Sequence, residues 1–378
     1  MIKIIHLMKD CADEKGIPNI PFFVPLYLNI SRNYNNLIIL TRYNYKPKLK
    51  KELPKIKYIP GKLALIKEIL SFRPNVIIIY HHFGSPITLL LLIICKILRI
   101  KTVTRPDFTE YGLPKLHKSP IKTFIDFLRY ILFYLQLSLF DIIVGTTRYE
   151  IEVLERLKKR FRNKIIPWMT EYEICSDNKE EFILTVSRGW SDRRNLHTIL
   201  RVFAEIIKER KYKLIVVGKF HKGTYYIPDE NRWETGEEYK QKIMRLIEEL
   251  NLENYVKFVG VKLGKDLQEL YRKAKIFYLP SKNETFGMVY VEAMASGTPI
   301  VAMKNSAVQY VVKDGVTGFL KNDEEGQKEA ILRLLTDEKL YKEMQKNCLK
   351  EAEKYRWENV IKKWERLIKE LVEGKDVC

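Results

Sequence analysis

The chain has little cysteine for its length, and no two cysteines form a Cys-x-x-Cys pair. Its 378 residues include five Cys, at positions 11, 95, 175, 348 and 378, without regular spacing. This pattern argues against a disulfide scaffold and a structural zinc site, and it favours a reducing compartment such as the cytosol. No low-complexity or coiled-coil pattern is present and 46% of the residues are hydrophobic. We therefore expect a globular protein rather than a disordered one.

The sequence also lacks an uninterrupted apolar run of the about 20 residues that a transmembrane helix needs. Residues 1–8 are apolar over too short a stretch for a signal peptide, and no small-residue cleavage site follows them. Residues 87–100 form the most apolar stretch, but Lys96 and Arg99 interrupt it. It predicts a buried helix. Residues 121–140 form a longer apolar stretch that contains Lys122, Asp126, Arg129 and Gln136. Its pattern predicts a packed helix or one lying on a membrane surface.

Acidic residues are scarce in the first half of the chain. The whole sequence carries 67 Lys and Arg against 47 Asp and Glu, a net charge of +20. Residues 1–170 hold 29 basic and 12 acidic side chains, whereas residues 171–378 hold 38 and 35. A basic half of this kind attracts nucleic acid, an anionic membrane surface or acidic ligands, unless its charges only solvate the surface.

Short runs rich in Val and Ile alternate with helical patterns along the whole chain. The runs are continuous rather than alternating in polarity, which indicates strands covered on both faces and hence parallel sheets with crossover helices. The predicted strands are Ile2–Leu7, Leu37–Leu40, Asn75–Tyr80, Thr102–Thr104, Ile142–Gly145, Ile183–Ser187, Lys213–Val217, Val256–Val259, Ile276–Leu279, Pro299–Ala302 and Gly318–Leu320.

Two such β/α series predict two Rossmann-like domains. We place the first at residues 1–170 and the second at 171–355. Residues 356–378 form an amphipathic helix that packs at the join or returns to the first domain. Residues 219–236 are long for a β/α loop, and long loops of this kind are often functional.

Residues 281–301 (SKNETFGMVYVEAMASGTPIV) carry the clearest chemical signal. They follow one predicted strand and lead into the next, with a helix expected over residues 286–295. A helix that begins near Gly287 directs free backbone N–H groups beyond the carboxyl end of the strand, which suits a phosphate. Glu284 and Glu292 can each accept hydrogen bonds from vicinal hydroxyls. The alternative is that both are solvated helix charges.

The order strand, turn, Glu284, Thr-Phe-Gly, helix, Glu292-Ala, Ser-Gly-Thr-Pro, strand resembles the signature of glycosyltransferase family 4. Members of that family are retaining enzymes of the GT-B fold. The resemblance implies an α/β protein whose two Rossmann-like domains face each other across a cleft. It also implies an enzyme that transfers a sugar from a nucleotide-diphosphate sugar to an acceptor hydroxyl.

Residues 183–189 (ILTVSRG), followed by Arg194-Asn195-Leu196, are similar to the family's pattern of strand, Arg, loop, Lys or Arg, and helix. In the family these two basic residues hold the donor diphosphate, and here they correspond to Arg188 and Arg194. Arg193 is an alternative to Arg194, because the loop length is ambiguous by one residue. Two guanidiniums would offset the charge on the leaving nucleotide. Otherwise both are ordinary surface charges.

The resemblance assigns further donor contacts. Glu284 would orient the donor sugar, and Glu292 would hold the ribose hydroxyls. Gly260 and Val261 end a strand similar to the one that places the nucleotide base, or they form an ordinary strand-end turn. The backbone groups implied to bind phosphate and sugar are those of Phe286, Gly287, Met288 and Val289.

The first half matches the family less well. The family often has a Gly-Gly pair after its first strand, where this chain has only Gly16. It usually has a His after the fourth strand, near the sugar, where this chain has Arg105 and Asp107. These two residues are the candidates for the acceptor or sugar side. His81 and His82 follow a strand end, where a structural role is commoner.

The implied mechanism is a front-face attack in which the leaving phosphate helps to remove the acceptor proton. No protein nucleophile is evident, and no Asp-x-Asp motif is present. We therefore expect neither a catalytic metal nor a cofactor besides the nucleotide-sugar substrate. The resemblance implies a lipid-linked, polysaccharide or other glycan acceptor, and the basic first half favours one that is lipid-linked or anionic. It also favours a cytoplasmic enzyme that contacts the inner membrane face peripherally.

Three alternatives remain at the level of the sequence. A catalytically inactive relative would bind nucleotide sugar without turning it over. A nucleic-acid-binding protein would use the basic half, where residues 43–51 (YNYKPKLKK) interleave cations and aromatics, although no known reading module surrounds them. A nucleotide-sugar epimerase would need acid and base groups that the sequence does not place.

Overall fold

The chain forms two compact units in the computed structural model, which describes residues 1–8, 24, 28, 33–41, 54–59, 61–80, 85–106, 120–158, 160–227, 230 and 232–374. Unit 1 comprises Met1–Met169 together with Trp357–Cys378, and unit 2 comprises Thr170–Arg356. The boundaries lie within one residue of 170 and 355, and the C-terminal helix belongs to unit 1.

Over its described residues, unit 1 forms a seven-stranded parallel sheet in the order β3-β2-β1-β4-β5-β6-β7. Its strands are β1 Ile2–Met8, β2 Tyr34–Leu40, β3 Lys55–Tyr58, β4 Val76–Tyr80, β5 Lys101–Arg105, β6 Ile142–Gly145 and β7 Asn163–Ile165. Its helices are α1 Lys62–Phe72, α2 Pro86–Ile97, α3 Pro120–Leu139, α4 Arg148–Leu157 and α12 Trp357–Glu373.

The core of unit 1 lies between this sheet and its helices. Strand β4 is completely buried along its length, as a central strand covered on both faces should be. One core cluster joins Ile77 and Ile79 of this strand to Leu91 of α2 and Phe133 of α3. Within the described residues, no helix is both long enough and apolar enough to cross a membrane.

Unit 2 repeats the plan with a six-stranded parallel sheet, in the order β12-β9-β8-β13-β14-β15 over its described part. The strands of this sheet are β8 Glu180–Trp190, β9 Lys213–Phe220, β12 Val256–Phe258, β13 Ala274–Leu279, β14 Ile300–Ala302 and β15 Gly318–Leu320. The strands β10 Thr224–Ile227 and β11 Arg232–Thr235 pair with each other outside it. The helices of unit 2 are α5 Leu196–Glu209, α6 Gly236–Glu249, α7 Gly264–Lys273, α8 Met288–Ala295, α9 Val308–Val311, α10 Glu324–Thr336 and α11 Glu338–Ala352.

Every predicted strand overlaps an observed one, and the prediction of two Rossmann-like units is confirmed. β3 and β7 were not predicted, because they are short edge strands with lysines (KIKY and NKI) and little burial. Edge strands of this kind lack the continuous apolar run that marks a buried strand. The antiparallel hairpin β10–β11 inside residues 219–236 was not predicted either.

Gly218 lets β9 run unusually close to the end of β8. Its φ of +122° is one that side chains disfavour, and a Cβ there would lie 1.8 Å from the Ser187 carbonyl oxygen. The Gly218 N–H donates to the Gly260 carbonyl at 2.8 Å, which also ties β9 to the turn after β12. Gly218 therefore sets the spacing of three strand ends at the carboxyl edge of the sheet.

We expect Gly218→Ala to lower the free energy of unfolding by about 2 kcal/mol more than Gly264→Ala, because backbone must move to admit the new methyl group. Gly264 is the matched control: its φ is +53°, but nothing lies within 4 Å of a Cβ there. Chemical denaturation of both variants measures the difference. Equal destabilisation would contradict the steric explanation.

Candidate active site

The candidate site lies where the winding of the unit 2 sheet reverses. β8 is flanked by β9 on one side and by β13 on the other, so the connections after β8 and after β13 leave in opposite directions. In open α/β sheets this switch point, at the carboxyl ends of the strands, forms the ligand crevice. Arg188 lies two residues before the end of β8, and the segment that contains Glu284 follows β13.

A short 3₁₀ turn follows β8. It comprises residues Asp192–Arg194, and Asn195, with φ of +61°, precedes helix α5. Arg194 therefore stands in the turn before the helix. The Asn195 side chain donates through Nδ2 to the Pro280 carbonyl at 3.1 Å. This bond ties the turn to the end of β13.

Arg194 forms an ion pair with Glu284, joining Nη1 to Oε1. The Glu284 side chain is only 7% exposed and that of Arg194 22%, so the pair is largely withdrawn from solvent. Arg194 also donates to the Ser281 hydroxyl at 3.3 Å. Burial lowers the pKa of Arg194 to about 10, and the neighbouring Arg193 adds to the effect. The guanidinium thus stays charged at neutral pH and faces the carboxylate that the sequence predicted for the same site.

A second set of hydrogen bonds and an ion pair fix the loop that carries Glu284. The Lys282 N–H donates to the Arg193 carbonyl at 2.9 Å, and Lys282 Nζ contacts Asp192 Oδ2 at 2.7 Å. Asn305 Nδ2 donates to the carbonyls of Ser281 and Lys282 at 2.7 and 2.9 Å. Three loops therefore lock together, after β8, β13 and β14.

Sequence reasoning missed Asp192, Lys282, Asn305 and Ser306 as site-forming residues. The Glu284 N–H donates to Ser306 Oγ at 3.0 Å, which fixes the backbone at this carboxylate. A signal was present, because Asn305 and Ser306 come just after the strand β14. Polar residues there lie at the same sheet edge as those after β13.

Helix α8 begins at the site with a left-handed residue. Gly287 has φ of +82° and ψ of +65° and immediately precedes Met288, the first residue of the helix. A Cβ on Gly287 would lie 2.5 Å from the Tyr290 ring. The Tyr290 hydroxyl in turn donates to the Leu279 carbonyl at the end of β13, at 3.0 Å. The first N–H groups of α8 thus point away from the helix at the carboxyl end of β13, as expected for an anion site.

The remaining backbone candidates differ in exposure. The Phe286 side chain is buried against Tyr355 at 5.8 Å between ring centroids, so only its backbone faces the site. Met288 and Val289 are partly exposed. Gly260 has φ of +70° with open space around it, and Val261 is 52% exposed. Both remain accessible at the turn after β12.

Glu292 lies inside the helix and Arg188 lies near it. Tyr271 donates its hydroxyl to Glu292 Oε2 at 3.0 Å. Burial raises the pKa of Glu292 from 4.5 to about 7, and the Tyr271 bond and the charge of Arg188 act in the opposite direction. Arg188 itself is exposed. The structure thus pairs Arg194 with Glu284, and it places Arg188 near enough to Glu292 for the charge of Arg188 to oppose the rise in the pKa of Glu292.

The hairpin β10–β11 reaches the same region. Tyr225 donates to Glu234 at 2.5 Å, and its hydroxyl accepts from the Asp192 N–H at 3.3 Å. Glu234 is almost fully buried and binds Arg232 at 2.8 Å. Trp233 is 68% exposed. The described part of the connection after β9 therefore borders the turn that carries Arg194.

Among the site candidates in unit 1, Arg105 lies within the described residues. Arg105 is completely buried, with its guanidinium carbon 3.5 Å from the Trp168 ring centroid and Nη2 donating to the Ile166 carbonyl at 2.8 Å. We therefore reassign Arg105 from acceptor contact to the packing of unit 1, because its charge is stacked inside that unit. Gly16, Asp107, His81 and His82 lie outside the described residues.

Comparison with known proteins bears on this arrangement. Residues 173–351 match the family described as glycosyl transferases group 1, so the family resemblance inferred from the sequence is confirmed. The chain is 32% identical over 139 residues to D-inositol 3-phosphate glycosyltransferase of Corynebacterium urealyticum, covering 36% of this chain and 33% of that protein.

The chain is also 26% identical over 210 residues to N-acetyl-alpha-D-glucosaminyl L-malate synthase of Bacillus anthracis, covering 55% of this chain and 49% of that protein. This chain thus spans about a third to a half of the length of these curated relatives.

Solved structures share the fold over nearly the whole chain. Sucrose-phosphate synthase from Thermosynechococcus elongatus has a TM-score of 0.77 at 19% identity, covering 99% of this chain and 100% of that one. Anabaena HepE, in complex with UDP and glucose, has a TM-score of 0.68 at 18% identity, covering 98% and 99%. The predicted GT-B fold is confirmed.

The pKa of Glu292 yields a prediction for stability against pH. Because the folded state keeps a proton that the unfolded chain has lost, this group makes the free energy of unfolding fall as pH rises from about 4.5 to about 7. Glu292→Gln mimics the protonated form. We expect it to melt at a higher temperature than the wild type above pH 7, with the gap closing at pH 5. Thermal unfolding across this range measures the gap.

Glu343→Gln, at an exposed position of α11, is the matched control and should show no such dependence. A gap for Glu292→Gln of constant size at every pH would contradict a raised pKa in the folded state.

Proposed function

We propose, from the membership of residues 173–351 in the group 1 glycosyltransferases, that the chain is a retaining glycosyltransferase. It would move a sugar from a nucleotide-diphosphate sugar to an acceptor hydroxyl. The observation that most supports this is the Arg194–Glu284 ion pair just before the start of α8, with Glu292 farther along the helix and the charge of Arg188 near Glu292. Cations, hydroxyl acceptors and free amides for a phosphate are gathered there at the switch point of one sheet.

The leaving diphosphate is the part of the donor that this site is best equipped to hold. Bond cleavage leaves negative charge on its terminal phosphate, and preorganised positive charge stabilises that state more than the ground state. Arg188 supplies an exposed guanidinium near the end of β8. Arg194 supplies a second one, already oriented by Glu284 and Ser281. The N-terminal amides of α8 complete the cradle.

The two carboxylates suit the two hydroxyl-bearing parts of a nucleotide sugar. Glu284 keeps a second carboxylate oxygen beside the one that meets Arg194, and that oxygen can accept from a sugar hydroxyl. Glu292 has one oxygen on Tyr271 and the other for the ribose. A bound ribose and the nearby Arg188 would both favour its ionised form.

The groups at the site are the basis for the stereochemical course that we propose. The four residues are two guanidiniums and two carboxylates that are already engaged with cations or a phenol, so none is poised as a nucleophile. We propose a front-face reaction in which the departing phosphate oxygen accepts the proton of the attacking hydroxyl. In this scheme the two guanidiniums offset the negative charge of the leaving diphosphate, which a divalent cation would otherwise offset. No metal is used.

The donor and the acceptor are proposed by class. Anabaena HepE is described in complexes with UDP, with UDP and glucose, and with UDP-glucose, and we propose a uridine diphosphate sugar as the first donor to test. The basic side chains of residues 1–169, 29 against 12 acidic ones, favour an acceptor glycan that is anionic or attached to an anionic lipid.

Removal of either kind of charge should stop transfer without unfolding unit 2. We expect Glu284→Gln and Arg188→Ala each to lower kcat by at least about a hundredfold, because each removes a contact to the donor that strengthens in the transition state. Arg188 is exposed, so Arg188→Ala should melt near the wild-type temperature. Glu284→Gln keeps a hydrogen-bond acceptor for Arg194 but removes its charged partner, so this variant should stay folded and melt at a lower temperature. Release of the nucleotide from the donor is the readout.

Glu343→Gln serves again as the control and should keep full activity. Wild-type rates in both site variants would refute the assignment, whereas donor binding without turnover in the wild type would favour a nucleotide-sugar-binding protein instead.

A panel of UDP-, GDP- and ADP-sugars should separate the donors by thermal shift. A donor at a hundredfold excess over its Kd stabilises the folded state by about 2.7 kcal/mol. We expect the UDP-sugars to raise the melting temperature, and Arg188→Ala to lose that shift. If only GDP- or ADP-sugars shifted it, the proposed nucleotide would be wrong while the proposed class of donor would stand.

A further inference from the structure

Helices α2 and α3 of unit 1 present apolar side chains to solvent. A helix packed on a sheet normally carries polar residues on its outward face. Here the outward face of α3 is apolar over three turns, and α2 shows the same pattern. The exposed residues of this α2–α3 face are Leu90, Ile93, Ile97, Leu98, Phe124, Phe127, Leu128, Ile131, Tyr134 and Leu135.

The spacing on α3 shows that these residues form a stripe. Positions 124, 127, 128, 131, 134 and 135 follow the spacing of three and four residues that places side chains along one side of a helix. Phe133 and Leu137, on the other side, are buried in the core of unit 1. The helix is thus apolar both toward the core and away from it, and the core explains only one of the two sides.

The stripe on α2 lies beside the stripe on α3. Positions 90, 93 and 97 share one side of α2, and Ile97 is 74% exposed. The two helices pack against each other, and Gln136 Nε2 on α3 donates to the Ser85 carbonyl just before α2 at 2.7 Å. Ten exposed apolar side chains thus lie on two helices that pack together, which exceeds the single scattered apolar residues that soluble surfaces ordinarily carry.

Basic residues lie at the end of this surface where α3 and α4 finish. Residues 156–164 (RLKKRFRNK) include six Lys and Arg and no acidic residue. Lys158 joins this segment to the stripe, because its Nζ hydrogen-bonds Ser138 and lies 5.2 Å from the Tyr134 ring centroid. Beyond the end of α2, Arg99 is exposed.

The acidic residues described nearby already have cationic partners within the protein. Asp141 accepts from Lys96 Nζ and from the Thr102 N–H, both at 2.7 Å, and these bonds keep the pKa of its carboxyl below its ordinary value. On α4, Arg148 contacts both Glu152 and Glu155.

We propose that the α2–α3 face docks on an anionic lipid surface. An apolar helix face bordered by cations is the combination that binds at the headgroup boundary, where apolar side chains enter the acyl region and the cations meet the lipid phosphates. The helices would lie in the plane of the surface.

The charge of unit 1 argues for lipid over a second copy of the chain. Residues 1–169 carry 29 basic and 12 acidic side chains, and residues 357–378 carry five of each. A symmetric contact through this face would bring two strongly positive units together, which costs electrostatic energy. The same charge gains energy at an anionic bilayer.

Flotation of the full chain with vesicles tests this directly. We expect more protein to float with phosphatidylcholine vesicles that contain phosphatidylglycerol than with phosphatidylcholine alone, and the excess to fall as salt is raised. No donor or turnover is involved, so the result is independent of the proposed transferase activity.

Paired variants separate the apolar and the charged contributions. Phe127→Glu with Ile131→Glu should lower binding to the anionic vesicles by about tenfold or more, because both side chains lose their place in the acyl region and add repelled charge. Met244→Glu with Tyr310→Glu makes the same change at exposed positions of unit 2 and should leave binding as in the wild type. Arg156→Gln with Arg160→Gln should weaken binding to anionic vesicles only.

Three outcomes would overturn the proposal: equal flotation with neutral and anionic vesicles, no flotation at all, or unchanged binding in the Phe127 and Ile131 variant. Sedimentation gives a further decision. A wild-type dimer that this variant converts to a monomer would assign the face to a second copy of the chain. Melting curves establish that each variant is folded.

Discussion

The buried ion pair between Arg194 and Glu284 is the interaction on which the rest of the site depends. It joins the turn after β8 to the loop after β13, and these strands flank the point where the sheet reverses. Two charges withdrawn from water are costly unless each keeps its partner. The surrounding bonds from Asn195 and Asn305 hold the loops in the one arrangement that keeps them paired.

The parts of the fold that the sequence predicted well are those governed by burial. Continuous Val and Ile runs located the central strands, since a strand covered on both faces must be apolar throughout. The polar edge strand β7 was not predicted, because an edge strand need not be apolar throughout. The loop that carries Glu284 was visible through its pattern, whereas the supporting role of Asn305 depends on contacts between loops distant in sequence. Arg105 was assigned wrongly, because the sequence does not distinguish a charged residue at a strand end that faces solvent from one that stacks on Trp168.

The two units differ in how their charged side chains are distributed. Unit 2 is nearly neutral overall and arranges its charges as local pairs, so a ligand there meets a few oriented groups. Unit 1 carries its excess of cations over a broad surface, beside the apolar residues of α2 and α3. Oriented pairs confer specificity on a small ligand, whereas a distributed field attracts an extended surface of opposite sign. The arrangement therefore suits a small donor on one unit and an interface on the other.

Helix α12 gives the order in which the units can be completed during synthesis. Unit 2 is continuous in sequence, and its ends lie side by side, with the Thr170 N–H donating to the Tyr355 carbonyl at 2.8 Å. Unit 1 buries Trp364 and Ile368 from the other end of the chain. A domain folds once all of its segments have left the ribosome. Unit 2 is translated after most of unit 1 but can therefore fold before it. The amino-terminal part of unit 1 stays incomplete until α12 has been synthesised.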